Sequence, residues 1–94
     1  MQITVEFAGV SRIAAGVKQV SLDLKESTTY RELVRLLGAQ YPKLIGQVLE
    51  ADGVTLYPSN LLNLNGQRMI QPAQMDDPLP DGACVILMSV LAGG

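Results

Sequence analysis

The chain contains 94 residues, with a formal net charge of −2, one cysteine and no histidine. This length fits one small domain, and the absence of any run of lysine or arginine argues against direct binding to nucleic-acid phosphates. Without histidine the chain cannot by itself form a Cys–His pair, a Ser–His–Asp triad or the common zinc sites. We therefore expect a substrate or partner of enzymes rather than an enzyme, with no bound metal or cofactor.

The first third of the chain reads as two strands. Apolar residues alternate with polar ones at Ile3, Val5 and Phe7, which is typical of a half-buried strand. The same alternation returns over residues 20–24 and predicts a second strand. Residues 9–16 read as a loop between them, so the two strands form a hairpin with a long connection.

The main helix is predicted near residues 30–40. Thr29 and Glu32 have the spacing of a capping box, in which each side chain bonds the backbone of the other residue. Apolar residues then recur at helical spacing from Tyr30 to Tyr41. Pro42 disfavours helical backbone at the residue before it, so we expect the helix to end there.

The middle of the chain gives weaker signals. Residues 44–50 fit either a short helical turn or an edge strand. Leu62 and Leu64 indicate a short strand, and Asn65-Gly66 is a strong signal for a two-residue hairpin turn. Residues 67–70 would return antiparallel to that strand, and the proline-rich residues 71–82 form a loop.

The final strand determines the fold class. Residues 83–88 are almost continuously apolar, which predicts a central strand with neighbours on both faces. A hairpin, a crossover helix and a last strand that returns to the sheet centre define an α+β fold, the ubiquitin-like β-grasp with a mixed sheet. We assign residues 1–91 to this domain and residues 92–94 to a flexible C-terminal tail.

Alternation along this strand predicts a docking surface. Val85 and Leu87 should face the helix, which leaves Ile86 and Met88 on the opposite face. Because 48% of the residues are apolar, a domain of this size should expose an apolar patch, and such patches mark partner sites. Ile86 and Met88 are therefore candidate docking residues, unless a second element covers them.

The sequence also indicates a compartment. The longest wholly apolar run, residues 83–88, is far shorter than a membrane span. The N-terminus begins with a strand pattern and lacks the regions of a signal peptide. A single cysteine fits a reducing environment, so we predict a cytoplasmic protein that does not bind membranes.

Several motifs together resemble the small sulfur carriers, namely the small subunit of molybdopterin synthase and the thiamine sulfur carrier. The resemblance rests on the Leu79-Pro80-Asp81-Gly82 segment, the apolar strand after it and the terminal Gly93-Gly94. It also rests on five residues near the N-terminus: Phe7, Gly9, Arg12, Ala15 and Gly16. The Ser-x-Leu-x-Gly-Gly ending is similar to that of the ubiquitin-related modifier family, whose members pass sulfur to transfer RNA or attach to proteins.

This resemblance implies how the chain works. A ubiquitin-activating-like partner enzyme would use ATP to adenylate Gly94, and sulfur would then convert Gly94 to a thiocarboxylate. The sulfur would pass to an acceptor enzyme such as the molybdopterin synthase large subunit, in molybdenum cofactor biosynthesis. Leu91, Ala92 and Gly93 would occupy the partner's channel. Alternatives are conjugation to proteins through Gly94, or sulfur delivery to transfer RNA or to thiamine synthesis.

Simpler readings remain for several residues. The Gly-Gly end could be an idle terminus of an interaction domain. Cys84 could be a reactive thiol, although a small apolar strand residue is the simpler interpretation. Asp76 and Asp77 could bind a metal, but they also fit a solvated loop. Arg12 could contact an anion of a partner or only water.

Overall fold

The computed structural model describes residues 1–89 and contains one five-stranded mixed sheet in the order β2-β1-β5-β3-β4. The strands are β1 (Gln2–Ala8), β2 (Gln19–Asp23), β3 (Asn60–Leu64), β4 (Arg68–Met69) and β5 (Cys84–Ser89). The helices are α1 (Val10–Ala15) and α2 (Tyr30–Gln40), with 3-10 turns at Pro42–Leu44 and Pro72–Gln74. β5 lies at the centre, parallel to β1 and antiparallel to β3. The predicted β-grasp fold is thereby confirmed.

Helix α2 has the predicted bounds, Tyr30–Gln40. The Thr29 hydroxyl accepts the Glu32 N–H at 3.1 Å, and Glu32 Oε1 accepts the Thr29 N–H at 3.1 Å. This capping box satisfies backbone donors that the first turn leaves without helical partners. Tyr41, the residue before Pro42, leaves the helical conformation with φ −123° and ψ 75°, which is the effect expected of a following proline.

The core lies between α2 and one face of the sheet. The predicted inward residues Ile3, Val5 and Phe7 are buried, and the Phe7 ring meets the Tyr41 ring edge-on at 5.4 Å between centroids. The remaining predicted core residues, on α2 and β5, are fully buried in the same cluster: Leu33, Leu37, Val85 and Leu87. The period-two and helical patterns therefore identified the core face correctly.

The prediction of a loop over residues 9–16 was wrong, because this segment contains α1. Gly9 has φ 72°, and Gly16 ends the helix in the left-handed conformation with its N–H bonded to the Arg12 carbonyl. Ser11 and Ala14, three residues apart, point into the protein and are buried. The helix forms because this face packs against the sheet, and the six residues are too few to be stable alone.

The hairpin signal was correct, and the ambiguous segment is irregular. Asn65 and Gly66 have φ values of 57° and 71°, as a two-residue turn with both central residues left-handed requires. Residues 44–50 follow a 3-10 turn and form only an isolated bridge between Ile45 and Leu49. Among residues 1–89, no helix has the length and apolar character needed to cross a membrane.

Candidate functional site

The parallel pairing of β1 and β5 determines what surrounds the base of the tail. Ala8 and Met88 are partners in the register, so the two strands end at the same edge of the sheet. The chain continues from β1 into α1, and from β5 through Ser89 into residues 90–94. We call this edge the tail end of the sheet. Helix α1 and the last described residue before the tail therefore lie side by side.

Two serines hold α1 against β5, and we call them the serine clamp. The fully buried Ser11 hydroxyl donates to the Leu87 carbonyl at 2.6 Å and accepts the Ala8 N–H at 3.1 Å. The Val10 N–H, at the start of α1, donates to Ser89 Oγ at 3.2 Å. The Ser11–Leu87 bond is buried and the Val10–Ser89 bond is exposed. Because hydrogen bonds need a narrow range of distances and angles, the clamp positions α1 relative to the end of β5.

Gly9 permits this close approach. Its φ of 72° is a conformation that other residues rarely adopt, and a Cβ built on it would collide with Ser89 Oγ. A side chain at this position would therefore strain the backbone and displace Ser89. Gly9 belongs to the motif on which the resemblance rests, and its physical role here is to let α1 and β5 meet.

The predicted reactive residue and channel residues follow the clamp. Leu91, Ala92, Gly93 and Gly94 lie outside the described residues, as does the boundary between domain and tail proposed at residue 91. Their roles stay predictions. The described residues end at Ser89, and we call the end of β5 around Ser89 the base of the tail.

The predicted docking residues lie on the outer face of the sheet, opposite α2. Ile86 and Met88 are half-buried, whereas Val85 and Leu87 between and beside them are fully buried. The register places Leu61 next to Met88 and Asn63 next to Ile86, and Met69 lies across from Asn63. We call four of these residues the outer-face patch: Leu61, Met69, Ile86 and Met88. Its role in docking stays a prediction.

Cys84 lies on the same outer face, half-buried near Glu6. Burial raises the pKa of its thiol above the usual value, and the Glu6 carboxylate raises it further by charge and hydrogen bonding. Reactive cysteines need the opposite shift, because the thiolate is the nucleophile. The surroundings of Cys84 therefore suit a strand residue and not a reactive thiol.

The two neighbouring aspartates, Asp76 and Asp77, are exposed, and one of them is ion-paired. Asp76 pairs with Arg31, with 2.8 Å between Oδ1 and Nε. The hydrogen bond from Arg31 holds the pKa of the Asp76 carboxyl below its usual value. In the described part of the chain, no three side chains of histidine, cysteine, aspartate or glutamate come together as metal ligands.

One groove, of about 390 Å³, lies beside β3 and β4. Its lining is mostly apolar, and its titratable members are Tyr57 and the ion-paired Arg31. The described lining contains no histidine, carboxylate, lysine or cysteine, the side chains that most often act in general acid–base catalysis. We assign no catalytic role to this groove.

The sequence analysis missed the serine clamp and the helix that it holds. A signal was present, since Ser11 and Ala14 share one helical face while Val10 and Ile13 share another. Two glycines bracket the segment, as they often do in a loop. Six residues are too short for the period to stand out from alternation.

Comparison with known proteins places this geometry in a class. No protein-family profile matches the chain. Small archaeal modifier protein 3 from Haloferax volcanii is 29% identical over 94 residues, which is all of both proteins. The solution structure of Urm1 from Trypanosoma brucei is 34% identical with a TM-score of 0.75, over 99% of this chain and 95% of that one.

Two further solved structures share the fold. SAMP1 from Haloferax volcanii has a TM-score of 0.81 at 20% identity, over 100% of both chains. A complex of subunits 1 and 2 of molybdopterin-converting factor from Helicobacter pylori contains a chain with a TM-score of 0.62 at 19% identity, again over 100% of both. The described residues thus form a ubiquitin-like β-grasp protein. The chain belongs to the family of ubiquitin-like small modifiers and sulfur carriers.

Proposed function

We propose that the chain is a carrier that a partner enzyme activates at the Gly94 carboxylate. The observation that supports this most strongly is the similarity to two modifier proteins over at least 95% of their length, combined with a sequence that ends in Gly93-Gly94. The carrier would itself be non-catalytic and cytoplasmic, and it would bind no cofactor. ATP would be consumed in the partner's active site.

The activation converts an inert carboxylate into an acyl donor. A C-terminal carboxylate has a reference pKa of about 3.5 and is ionised at neutral pH, so it resists nucleophiles. One of its oxygens attacks the α-phosphate of ATP, and pyrophosphate leaves. Hydrosulfide delivered by the partner then attacks the carbonyl carbon of the Gly94 adenylate, AMP leaves, and the resulting thioacid loses its proton. The product is a Gly94 thiocarboxylate, whose sulfur is available to an acceptor.

The glycines suit a narrow channel. Gly93 and Gly94 lack a Cβ, so a partner can close around bare backbone and reach the carbonyl without steric hindrance. Leu91 and Ala92 precede them and would contact the channel mouth. The outer-face patch, with Ile86 and Met88 at its centre, would dock the body of the carrier against the same partner.

The acceptor would be an enzyme that uses sulfide equivalents, and the molybdopterin synthase large subunit is our first candidate. The similar Helicobacter pylori chain is part of a complex between subunits 1 and 2 of molybdopterin-converting factor. At 19% identity this supports the fold alone, so the pathway rests on the sequence resemblance. Delivery to transfer RNA or to thiamine synthesis would use the same thiocarboxylate.

A second function, conjugation to proteins, is supported by the relatives. The two full-length relatives at 29% and 34% identity are a small archaeal modifier protein and Urm1. In this function a lysine amine attacks activated Gly94 and forms an isopeptide bond. The activation step is the same, so the two functions differ only in the nucleophile that follows.

Intact mass measurement of the protein from its own cells separates these functions. A mass increase equal to the replacement of one oxygen by sulfur at the C-terminus supports the sulfur carrier. Higher-mass conjugates that disappear when Gly94 is removed support the modifier. An unmodified mass, together with no ATP-dependent activation, would contradict both. The chain lacking Gly94, produced in the same cells, is the matched control.

A further inference from the structure

Helix α1 exposes an apolar surface beside the base of the tail. Val10 and Ile13, three residues apart, are 38% and 80% exposed, and Val17 just beyond the helix is 40% exposed. Val10 and Ile13 share a face of α1 adjacent to the face formed by the buried Ser11 and Ala14. We call Val10, Ile13 and Val17 the α1 patch.

The fold does not require these apolar side chains. Ile13 leaves most of its surface in water, so it contributes little burial to folding. Single exposed apolar residues are common on soluble proteins. Here three exposed apolar residues lie within eight residues of sequence, two of them on one helical face, and clustered apolar side chains of this kind are often covered by partners.

The tail limits how far a partner can be from this surface. Five residues follow Ser89, and at full extension they span about 17 Å. An enzyme that reacts at Gly94 must therefore bring its channel mouth within that distance of Ser89. The Val10 N–H is hydrogen-bonded to Ser89 Oγ at 3.2 Å, so α1 lies beside the last described residue before the tail.

Charge around the α1 patch indicates the chemistry of the surface that covers it. Residues 9–19 contain Arg12 and Lys18 and no acidic residue, in a chain whose net charge is −2. Both cations are exposed. A complementary partner surface would be apolar at its centre and carry carboxylates at its edge.

We propose that the α1 patch is a second docking surface, covered by the apolar, carboxylate-edged rim of the channel through which the adenylating enzyme receives Gly94. This inference rests on the proposed function. The serine clamp makes the patch and the end of β5 one rigid unit. An enzyme that binds α1 would therefore also position Ser89, from which the tail continues into the channel. The α1 patch and the outer-face patch would contact this enzyme on different sides of Ser89.

The test is ATP-dependent pyrophosphate exchange by the purified adenylating enzyme of the source organism, measured against carrier concentration. Ile13→Asp should raise the KM for the carrier about tenfold, as loss of an interface anchor does, while kcat stays within about twofold. Ile13→Gln, which removes the apolar contact without adding charge, should raise KM by a smaller factor. Leu36→Asp is the matched control. Leu36 is 45% exposed on α2 and lies beside residues 23–25, at the opposite end of the sheet. The KM of this variant should equal that of the natural chain.

The outcomes separate this inference from the proposed function. Equal KM values for the natural chain, Ile13→Asp and Leu36→Asp would overturn the α1 docking surface and leave activation at Gly94 intact. A fall in kcat at unchanged KM would overturn docking as well. No exchange with the natural chain would overturn the proposed function and this inference together. Thermal unfolding of each variant should match the natural chain, since both substituted residues are exposed.

Discussion

At the scale of single residues, the buried hydroxyl of Ser11 would destabilise the fold if it had no hydrogen-bond partner. The Ser11 hydroxyl is fully buried, and a buried hydroxyl without a partner costs about 1–3 kcal/mol. Here it donates to Leu87 and accepts from Ala8, so its burial is compensated. The same bonds join α1 to β1 and β5, close to the ends of both strands.

The core makes a residue-scale prediction on α2. Leu37 is fully buried, and its neighbour Leu36 is 45% exposed. Leu37→Ala should lower the free energy of unfolding by about 2 to 5 kcal/mol, because it removes buried methyl groups and leaves a cavity. Leu36→Ala, the same chemical change on the same helix, should alter it by no more than about 0.5 kcal/mol. Chemical denaturation measures both, and a loss below about 1 kcal/mol for Leu37→Ala would show that the helix face is wrongly assigned.

Among the elements, β5 divides its side chains by alternation between the core and the outer face of the sheet. Val85 and Leu87 fill the core, while Ile86 and Met88 stand on the outer face among Leu61 and Met69. A substitution on the outer face should therefore affect partners before it affects the fold.

Met88→Asp tests that separation. A carboxylate in the outer-face patch should weaken binding to the adenylating partner, since an apolar interface would have to desolvate it, while the domain stays folded. Ser21→Asp is the control: it adds the same charge to the same face on β2, which β1 separates from β5. Calorimetric titration against the partner measures binding, and circular dichroism measures folding. Unfolding by Met88→Asp alone would place that side chain in the core and the docking surface elsewhere.

The elements also differ in how much the sequence could predict. Helix α2 was predicted with its observed bounds because a capping box, eleven residues of helical spacing and a proline all agreed. Helix α1 was not predicted, because its stability comes from Ser11 and Ala14 packing on strands distant in sequence. The chemistry of the tail stays a prediction from the terminal Gly93-Gly94 and the family resemblance, whereas the α1 patch could be identified only from the side of α1 that the sheet covers.

At the scale of the whole molecule, the topology brings together features that are far apart in sequence. The parallel pairing of β1 with β5 places the end of β1 and the start of α1 next to residue 89. The outer-face patch and the α1 patch thus border the base of the tail on two sides. A partner that engages both would determine the direction from which the tail enters its channel, and positioning of this kind supplies much of the rate in acyl transfer.

Activation at Gly94 is the central claim, and pyrophosphate exchange with the adenylating enzyme tests it most directly. Three chains are compared: the natural chain, the chain lacking Gly94 and a chain with one alanine added after Gly94. The shortened chain would place its carboxylate about 3.5 Å from the reacting position, so it and the lengthened chain should support little exchange. Their free energies of unfolding should stay within about 0.5 kcal/mol of the natural value. Exchange by the natural chain alone is the predicted result, and equal exchange by all three would contradict both the carrier and the modifier functions.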